Sequence, residues 1–228
     1  LFLVEGDKLV AEIIDSAFTI DQIYCTENKA QWLSSLLSKV SKNIEIGLVS
    51  EAEMERISML KSASDVLAIV KMPKNKAENL DMIDFDNQMT LVLDDIKDPG
   101  NLGTIIRTAD WFGLEQIVVS ADTASCFNPK VIQSTMGSIL RVDVIVEDLE
   151  ALIQSSKMPV YGAVLEGKSI QTTELAKEGL LLIGNESKGI RSPLLEMITH
   201  PITIPKYGAA ESLNAAVATG IILAKWQH

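Results

Sequence analysis

The sequence predicts an α/β protein in two units: a small α/β unit, then a larger one built on a parallel sheet with helices on both faces. Three observations carry this. Short unbroken apolar runs such as "LVLDD" and "LLLIGN" lack the alternation of a half-exposed strand, as expected of strands buried on both sides. Segments with helical periodicity separate those runs, the pattern of βα units. Between the two halves lies the polar stretch "KMPKNKAENLDMIDFDNQMT", residues 71–90, which reads as a connector. The expected division is 1–75, a linker at 76–89, and 90–228.

In the first unit, "GDKLVAEIIDSA" places Leu9, Ile13 and Ala17 on one helical face with Val10 and Ile14 beside them. "IDQIYCT" follows as a strand, "NKAQWLSSLLSKVSK" as a helix with Trp32, Leu33, Leu36, Leu37 and Val40 at helical spacing, and "IEIGLVS" as a strand. "SEAEMERISML" opens with a serine three residues before an acid, a helix-start signature, and "DVLAIVKMP" closes a small three-layer unit. In the second unit the strands are "TLVLDDI", "LEQIVVS", "RVDVIV", "PVYGAVLE", "GLLLIGN" and "ITIP". The helices are "GTIIRTADWF", "NPKVIQSTMGSIL", "DLEALIQSS" and "SLNAAVATGIILAKW".

Composition narrows the function. A net charge of −11 and a pI near 4.7 argue against coating nucleic acid by bulk positive charge, though Lys39, Lys42, Lys71, Lys74 and Lys76 make parts of the first half locally more basic. Two cysteines and two histidines are too few for a zinc cage, so no metal site is expected; without a secretion signal the cysteines fit a reducing cytoplasm. No apolar run reaches the roughly 18 residues of a membrane helix. The chain opens at Leu1 rather than methionine, so preceding residues are expected to be missing; "LFLVEGDKLVAEII", with its acids and no cleavage site, is not a signal peptide.

Ligands of parallel sheets bind beyond the carboxyl ends of the strands. Three loops stand out there: "DPGNLGTIIR" with Asn101, Gly103 and Arg107; "LLLIGNESKGI" with Gly184, Glu186 and Gly189; and "ITIPKYGAAESLNAAVATG", where Ser212, Leu213 and Asn214 lead into a helix. Taken singly, Gly103 closes a turn, Glu186 caps a helix, and Ser212 or Asn214 caps the last helix. Together they describe a pocket rich in backbone donors. The phosphate-binding Gly-x-x-x-x-Gly-Lys-Ser/Thr and the dinucleotide Gly-x-Gly-x-x-Gly are both absent, which disfavours a nucleotide-dependent oxidoreductase. Short glycine turns suit the edge of an adenine, with Ile204 and Leu213 as apolar flanks.

"DPGNLGTIIRTADWFG", "IGNESKGI" and "IPKYGAAESLNAAVATG", in this order and spacing, resemble the motifs of the SpoU/TrmH family of RNA 2′-O-ribose methyltransferases, within the SPOUT class. The resemblance spans Thr90 to Trp226, and "LFLVEGDKLVAEI" looks like the substrate-binding unit that precedes it in many members. It implies a deep trefoil knot, a small L30e-like first domain, bound S-adenosylmethionine, a homodimer through the C-terminal domain, and structured RNA as substrate, ribosomal RNA ahead of transfer RNA. By matching positions, Gly184, Ile204 and Leu213 would contact the cofactor, and Asn101, Arg107, Glu186, Ser212 and Asn214 would form the catalytic set. Lys206 and Ala215-Ala216 depart from the usual residues and bear on pocket shape more than chemistry. A non-catalytic knotted RNA-binding protein acting in ribosome assembly is the competing reading, and the intact polar set favours the enzyme. The family's account makes the arginine a general base, yet a guanidinium keeps its proton. Either Glu186 or an RNA phosphate relays the proton, or Arg107 stays charged and stabilises the developing alkoxide, the role favoured here.

Overall fold

The computed structural model describes residues 1–40, 44–73 and 88–226. The N-terminal unit contains β1 (Phe2–Glu5), α1 (Asp7–Asp15), β2 (Ile20–Cys25), α2 (Glu27–Leu37), β3 (Glu45–Leu48), α3 (Glu51–Ile57) and β4 (Val66–Val70). Its sheet runs β1-β4-β2-β3, antiparallel except for the β2/β3 pair. Alternation along the strands sends Phe2, Val4, Ile23, Ala68 and Val70 into a core with Leu9, Val10, Ile13 and Ile14 of α1 and Leu33 of α2. α3 lies over the opposite face, with Met54 buried, and a groove remains between α3 and the sheet, lined by Leu3, Tyr24 and Ile69 beside Arg56 and Ile57. Ser50 caps α3 in a capping box with Glu53, as its spacing predicted. β1 has no counterpart in the sequence reading, because "LFLV" is too short and too uniformly apolar to display a period.

The second unit holds β5 (Met89–Leu93), α4 (Pro99–Trp111), β6 (Gln116–Val119), α5 (Pro129–Thr135), β7 (Asp143–Val146), α6 (Leu149–Ser156), β8 (Val160–Ser169), β9 (Gly179–Ile183), α7 (Ser192–Glu196), β10 (His200–Thr203) and α8 (Ala215–Trp226). All strands pair in parallel, in the order β10-β8-β9-β5-β6-β7. The unbroken apolar runs serve both faces. Leu91, Leu93, Ile117, Val119, Leu181 and Ile183 point to the side of α4, α5 and α8. Val92, Val118, Leu180 and Leu182 point to α6 and α7. The expected helix "NPKVIQSTMGSIL" is interrupted: Met136 and Gly137 adopt left-handed backbone, and the chain resumes as a 3-10 turn at Ser138–Leu140. Of the expected linker, 76–87 lies outside the described residues, as do Lys42, Lys74 and Lys76, while Met89 already belongs to β5.

The units share a contact. The Phe2 ring, 4% exposed, lies 4.8 Å from that of Phe127 in the second unit, and one continuous apolar cluster joins β1 and α1 to Val131 and Ile132 of α5. A polar connector in the sequence therefore does not mean independent units. Among the described residues, no helix is long and apolar enough to cross a membrane, and no group of three or more His, Cys, Asp or Glu is placed to hold a metal ion.

Candidate active site

Each of the three loops follows the carboxyl end of a strand. After β5, Asp98 caps α4 by accepting the Asn101 backbone N–H at 2.9 Å, with Pro99 pre-set in the first turn. That hydrogen bond, aided by Lys130 and opposed by partial burial, holds the Asp98 carboxyl below its ordinary value. Asn101 thus sits in the first turn of α4, fixed from the backbone side.

After β9, the loop folds back on itself. Asn185 and Gly189 exchange backbone hydrogen bonds at 3.0 and 2.9 Å, and the Asn185 side chain accepts the N–H groups of Ser187 and Lys188. Asn185 Nδ2 also donates to the Asp95 carbonyl at 2.8 Å, tying this loop to the end of β5. A second tie is ionic. Asp94 is fully buried and accepts the backbone N–H of Arg191 at 2.8 Å and its Nε at 2.6 Å. Gly184 makes the fold-back possible, since a Cβ there would stand 2.3 Å from backbone atoms of Gly189 and Ile190.

After β10, the exposed loop reaches Asn214, whose Oδ1 accepts the N–H groups of Ala216 and Val217 at 2.9 and 3.2 Å and so caps α8. Among the described residues, the backbone N–H groups of Lys206 to Leu213 donate to no protein acceptor. Ile204 is half-buried and Leu213 is 47% exposed, leaving aliphatic surface beside those donors.

The loops meet in a chain of hydrogen bonds. Asn101 Nδ2 donates to Glu186 Oε1 at 2.7 Å, and Asn214 Nδ2 donates to Asn101 Oδ1 at 2.7 Å. Glu186, Asn101 and Asn214, residues 85 and 113 apart in sequence, therefore form one polar array. Glu186 is not a helix cap here; α7 starts at Ser192. Gly103 does not close a turn either. It lies within α4, where a Cβ would meet Ser134 at 2.5 Å and the Val131 carbonyl at 2.8 Å, so its role is close packing of α4 on α5. Ser212 is exposed and takes no part in the array.

Arg107 stands apart. Six residues beyond Asn101 on α4, it projects about 120° around the helix from it at 100° per residue. It is exposed and makes no hydrogen bond or ion pair among the described residues. One turn further on the same face is Trp111, 84% exposed. The supporting residues Asp94, Asn185 and Arg191 were missed in the sequence; their one signal was a pair of carboxylates ending an otherwise apolar strand in "LVLDD".

Since Asn214 both caps α8 and holds Asn101, Asn214→Ala is expected to lower stability by about 1 kcal/mol, the usual cost of a lost cap, and to release the Asn101 side chain. Chemical denaturation measures the first effect. An unchanged midpoint would show that the capping bonds contribute nothing.

Fold and site together define a parallel α/β protein in which loops beyond β5, β9 and β10 meet in a carboxylate–amide–amide array. Residues 88–224 match the SpoU rRNA Methylase family model, and residues 1–68 match that of the MRM3-like substrate binding domain. The chain belongs to the SpoU rRNA methylase family. The 23S rRNA (guanosine(2553)-2'-O)-methyltransferase RlmP of Bacillus subtilis (strain 168) is 31% identical to it over 226 residues, 97% of this chain and 86% of the relative. The 23S rRNA (guanosine-2'-O-)-methyltransferase RlmB of Coxiella burnetii (strain RSA 493 / Nine Mile phase I) is 28% identical over 99% of this chain and 94% of its own. The AdoMet-bound rRNA methyltransferase from Sinorhizobium meliloti superposes with a TM-score of 0.84 at 28% identity, covering 99% of this chain and 86% of that one.

Proposed function

We infer that the protein transfers a methyl group from S-adenosylmethionine to a ribose 2′-hydroxyl of structured ribosomal RNA in the cytoplasm. The observation that carries this reading is the Glu186–Asn101–Asn214 array, assembled from three distant loops where family membership would require a site. When bound, S-adenosylmethionine supplies a methyl carbon made electrophilic by its sulfonium. Gly184, Ile204 and Leu213 would hold it: the uncommitted N–H groups of the loop before Asn214 suit an adenine edge, and Ile204 and Leu213 suit its faces.

Asn101, with both ends of its amide engaged, is a rigid marker for the ribose, and Ser212 offers a free hydroxyl two residues before Asn214. A ribose 2′-oxygen held against Asn101 would be the acceptor of that methyl group. Its proton leaves to Glu186 or to an RNA phosphate. Arg107 stays charged and steadies the oxygen as the proton departs. The outward direction of Arg107 supports action on the groove of a second copy. Trp111, Val217 (51% exposed) and Ile221 leave an apolar face across α4 and α8 that a homodimer would cover.

The remaining features follow the same reading. The N-terminal unit is L30e-like and grips RNA away from the reacting ribose. The second unit is knotted, a reading that rests on membership of the family.

Mapping 2′-O-methyl groups in ribosomal RNA from cells with and without the protein tests the function, alongside calorimetric titration with S-adenosylmethionine. A missing methyl group and a saturable isotherm are expected; identical maps together with no cofactor binding would overturn the reading. Sedimentation at micromolar concentration is expected to show a dimer that Val217→Lys with Ile221→Lys splits into folded monomers. A wild-type monomer under those conditions would sink the dimer.

A further inference from the structure

The helix that carries Asn101 and Arg107 is also the helix to which the N-terminal unit is tied. Asp110 follows Arg107 by three residues on α4, a neighbouring position on the helix surface. It accepts Arg141 Nε at 3.0 and 3.2 Å, Arg141 Nη2 at 2.8 Å and the Ser138 hydroxyl at 2.6 Å. On its other side, the same guanidinium reaches Glu12 of α1, Nη1 to Oε2, at 3.3 Å. One planar cation therefore joins a carboxylate on the site helix to a carboxylate on the N-terminal unit. Partial burial pushes the Asp110 carboxyl up, but its bonds to Arg141 and Ser138 outweigh this and hold it below the ordinary value.

The turn beneath this junction is shaped for it. Gly137 has φ 96°, and a Cβ there would stand 2.2 Å from Glu12 Oε2, so the chain omits a side chain where Glu12 docks. The aromatic contact of Phe2 with Phe127 lies in the same inter-unit surface, beside the apolar packing of β1 on α5.

We propose that Arg141 is a positioning residue for the RNA substrate: shared between Glu12 and Asp110, its guanidinium sets the orientation of the N-terminal unit against α4, and with it where RNA held on that unit meets Arg107. The proposal rests on the reading that the N-terminal unit grips RNA. Arginine is the residue that fits. Its flat fork presents donors in fixed directions and serves two carboxylates at once, whereas a lysine ammonium is a point charge on a flexible stem. The inter-unit pair is partly exposed on both sides, Arg141 50% and Glu12 30%, so its loss costs little folding stability and is felt as orientation, whereas losing all of Arg141 also strips Asp110 of its guanidinium partner.

The test uses the full chain with Glu12→Gln, which removes the inter-unit ion pair and the exposed 4.0 Å pair of Glu12 with Lys8 inside α1, with Arg141→Ala and with Arg141→Lys. Small-angle scattering reports the relative placement of the units without RNA. Single-turnover methylation across RNA concentrations separates KM from kcat, and calorimetry reports cofactor binding. Glu12→Gln and Arg141→Ala are expected to loosen the scattering profile and raise the RNA KM about fivefold. Cofactor affinity and the rate at saturating RNA should stay near normal in both, and the melting temperature in Glu12→Gln, which leaves the Arg141–Asp110 pair in place. Arg141→Lys should fall between. Unchanged scattering in both Glu12→Gln and Arg141→Ala overturns the ionic coupling. Loosened scattering with an unchanged RNA KM overturns the positioning role. A wild-type protein that methylates no RNA removes the underlying reading and the positioning role with it, a failure told apart by the scattering, which would still report the joint.

Discussion

Arg107→Lys is expected to leave a folded, cofactor-binding protein that has lost about 100-fold or more of its single-turnover rate, the scale of removing one donor to a developing oxyanion. The side chain is exposed and without a protein partner among the described residues, so the fold has little reason to respond. The chemistry does: lysine keeps the charge but cannot present the planar fork. The loss should fall on kcat, because an interaction formed in the transition state contributes little to ground-state binding. Asn101→Ala should slow the reaction less, since its proposed part is to position the ribose without carrying charge. Single-turnover methyl transfer beside calorimetric cofactor binding decides the matter. A cofactor-binding Arg107→Lys protein with a near-normal rate would show that this arginine is not central to the reaction.

Gly184→Ala should be the most damaging single methyl group added to the site. The new Cβ would fall 2.3 Å from the Gly189 carbonyl carbon and the Ile190 nitrogen, and backbone cannot rotate away as a side-chain tip can. The loop must open, and with it the Asn185–Gly189 exchange and the Glu186 end of the polar array. Overpacking of this kind costs roughly 1–3 kcal/mol. For a chain of this length that corresponds to a fall in Tm of very roughly 2–12 °C. Cofactor affinity should fall further, because the loop is proposed to hold it. Calorimetric melting with and without S-adenosylmethionine checks both. Wild-type Tm and affinity in Gly184→Ala would mean that the loop has room the geometry denies.

Much of the fold was legible because it is written in local periods. The strands around "LVLDD" and "LLLIGN" and the helix of "GDKLVAEIIDSA" lie where their apolar spacing put them. The break at Met136-Gly137 was not legible, since a helical period continues across it, and only packing against Glu12 shows why the backbone turns there. Gly103 was misread for a related reason: a glycine after a turn sequence looks like part of the turn until the helix it must approach is in view.

By itself, the sequence determined the α/β class, the parallel character of the larger sheet and the places of the three loops that follow β5, β9 and β10. Those features follow from chain-local physics: hydrophobic period, capping and turn chemistry. Tertiary structure alone decided that Asn101 lies between Glu186 and Asn214, that Arg107 points away from them, and that Arg141 bridges α4 to the N-terminal unit. Hydrogen bonds between residues 85, 113 and 129 positions apart leave no periodic trace in the chain, because their partners are set by how the strands are ordered in the sheet and not by their order in the sequence.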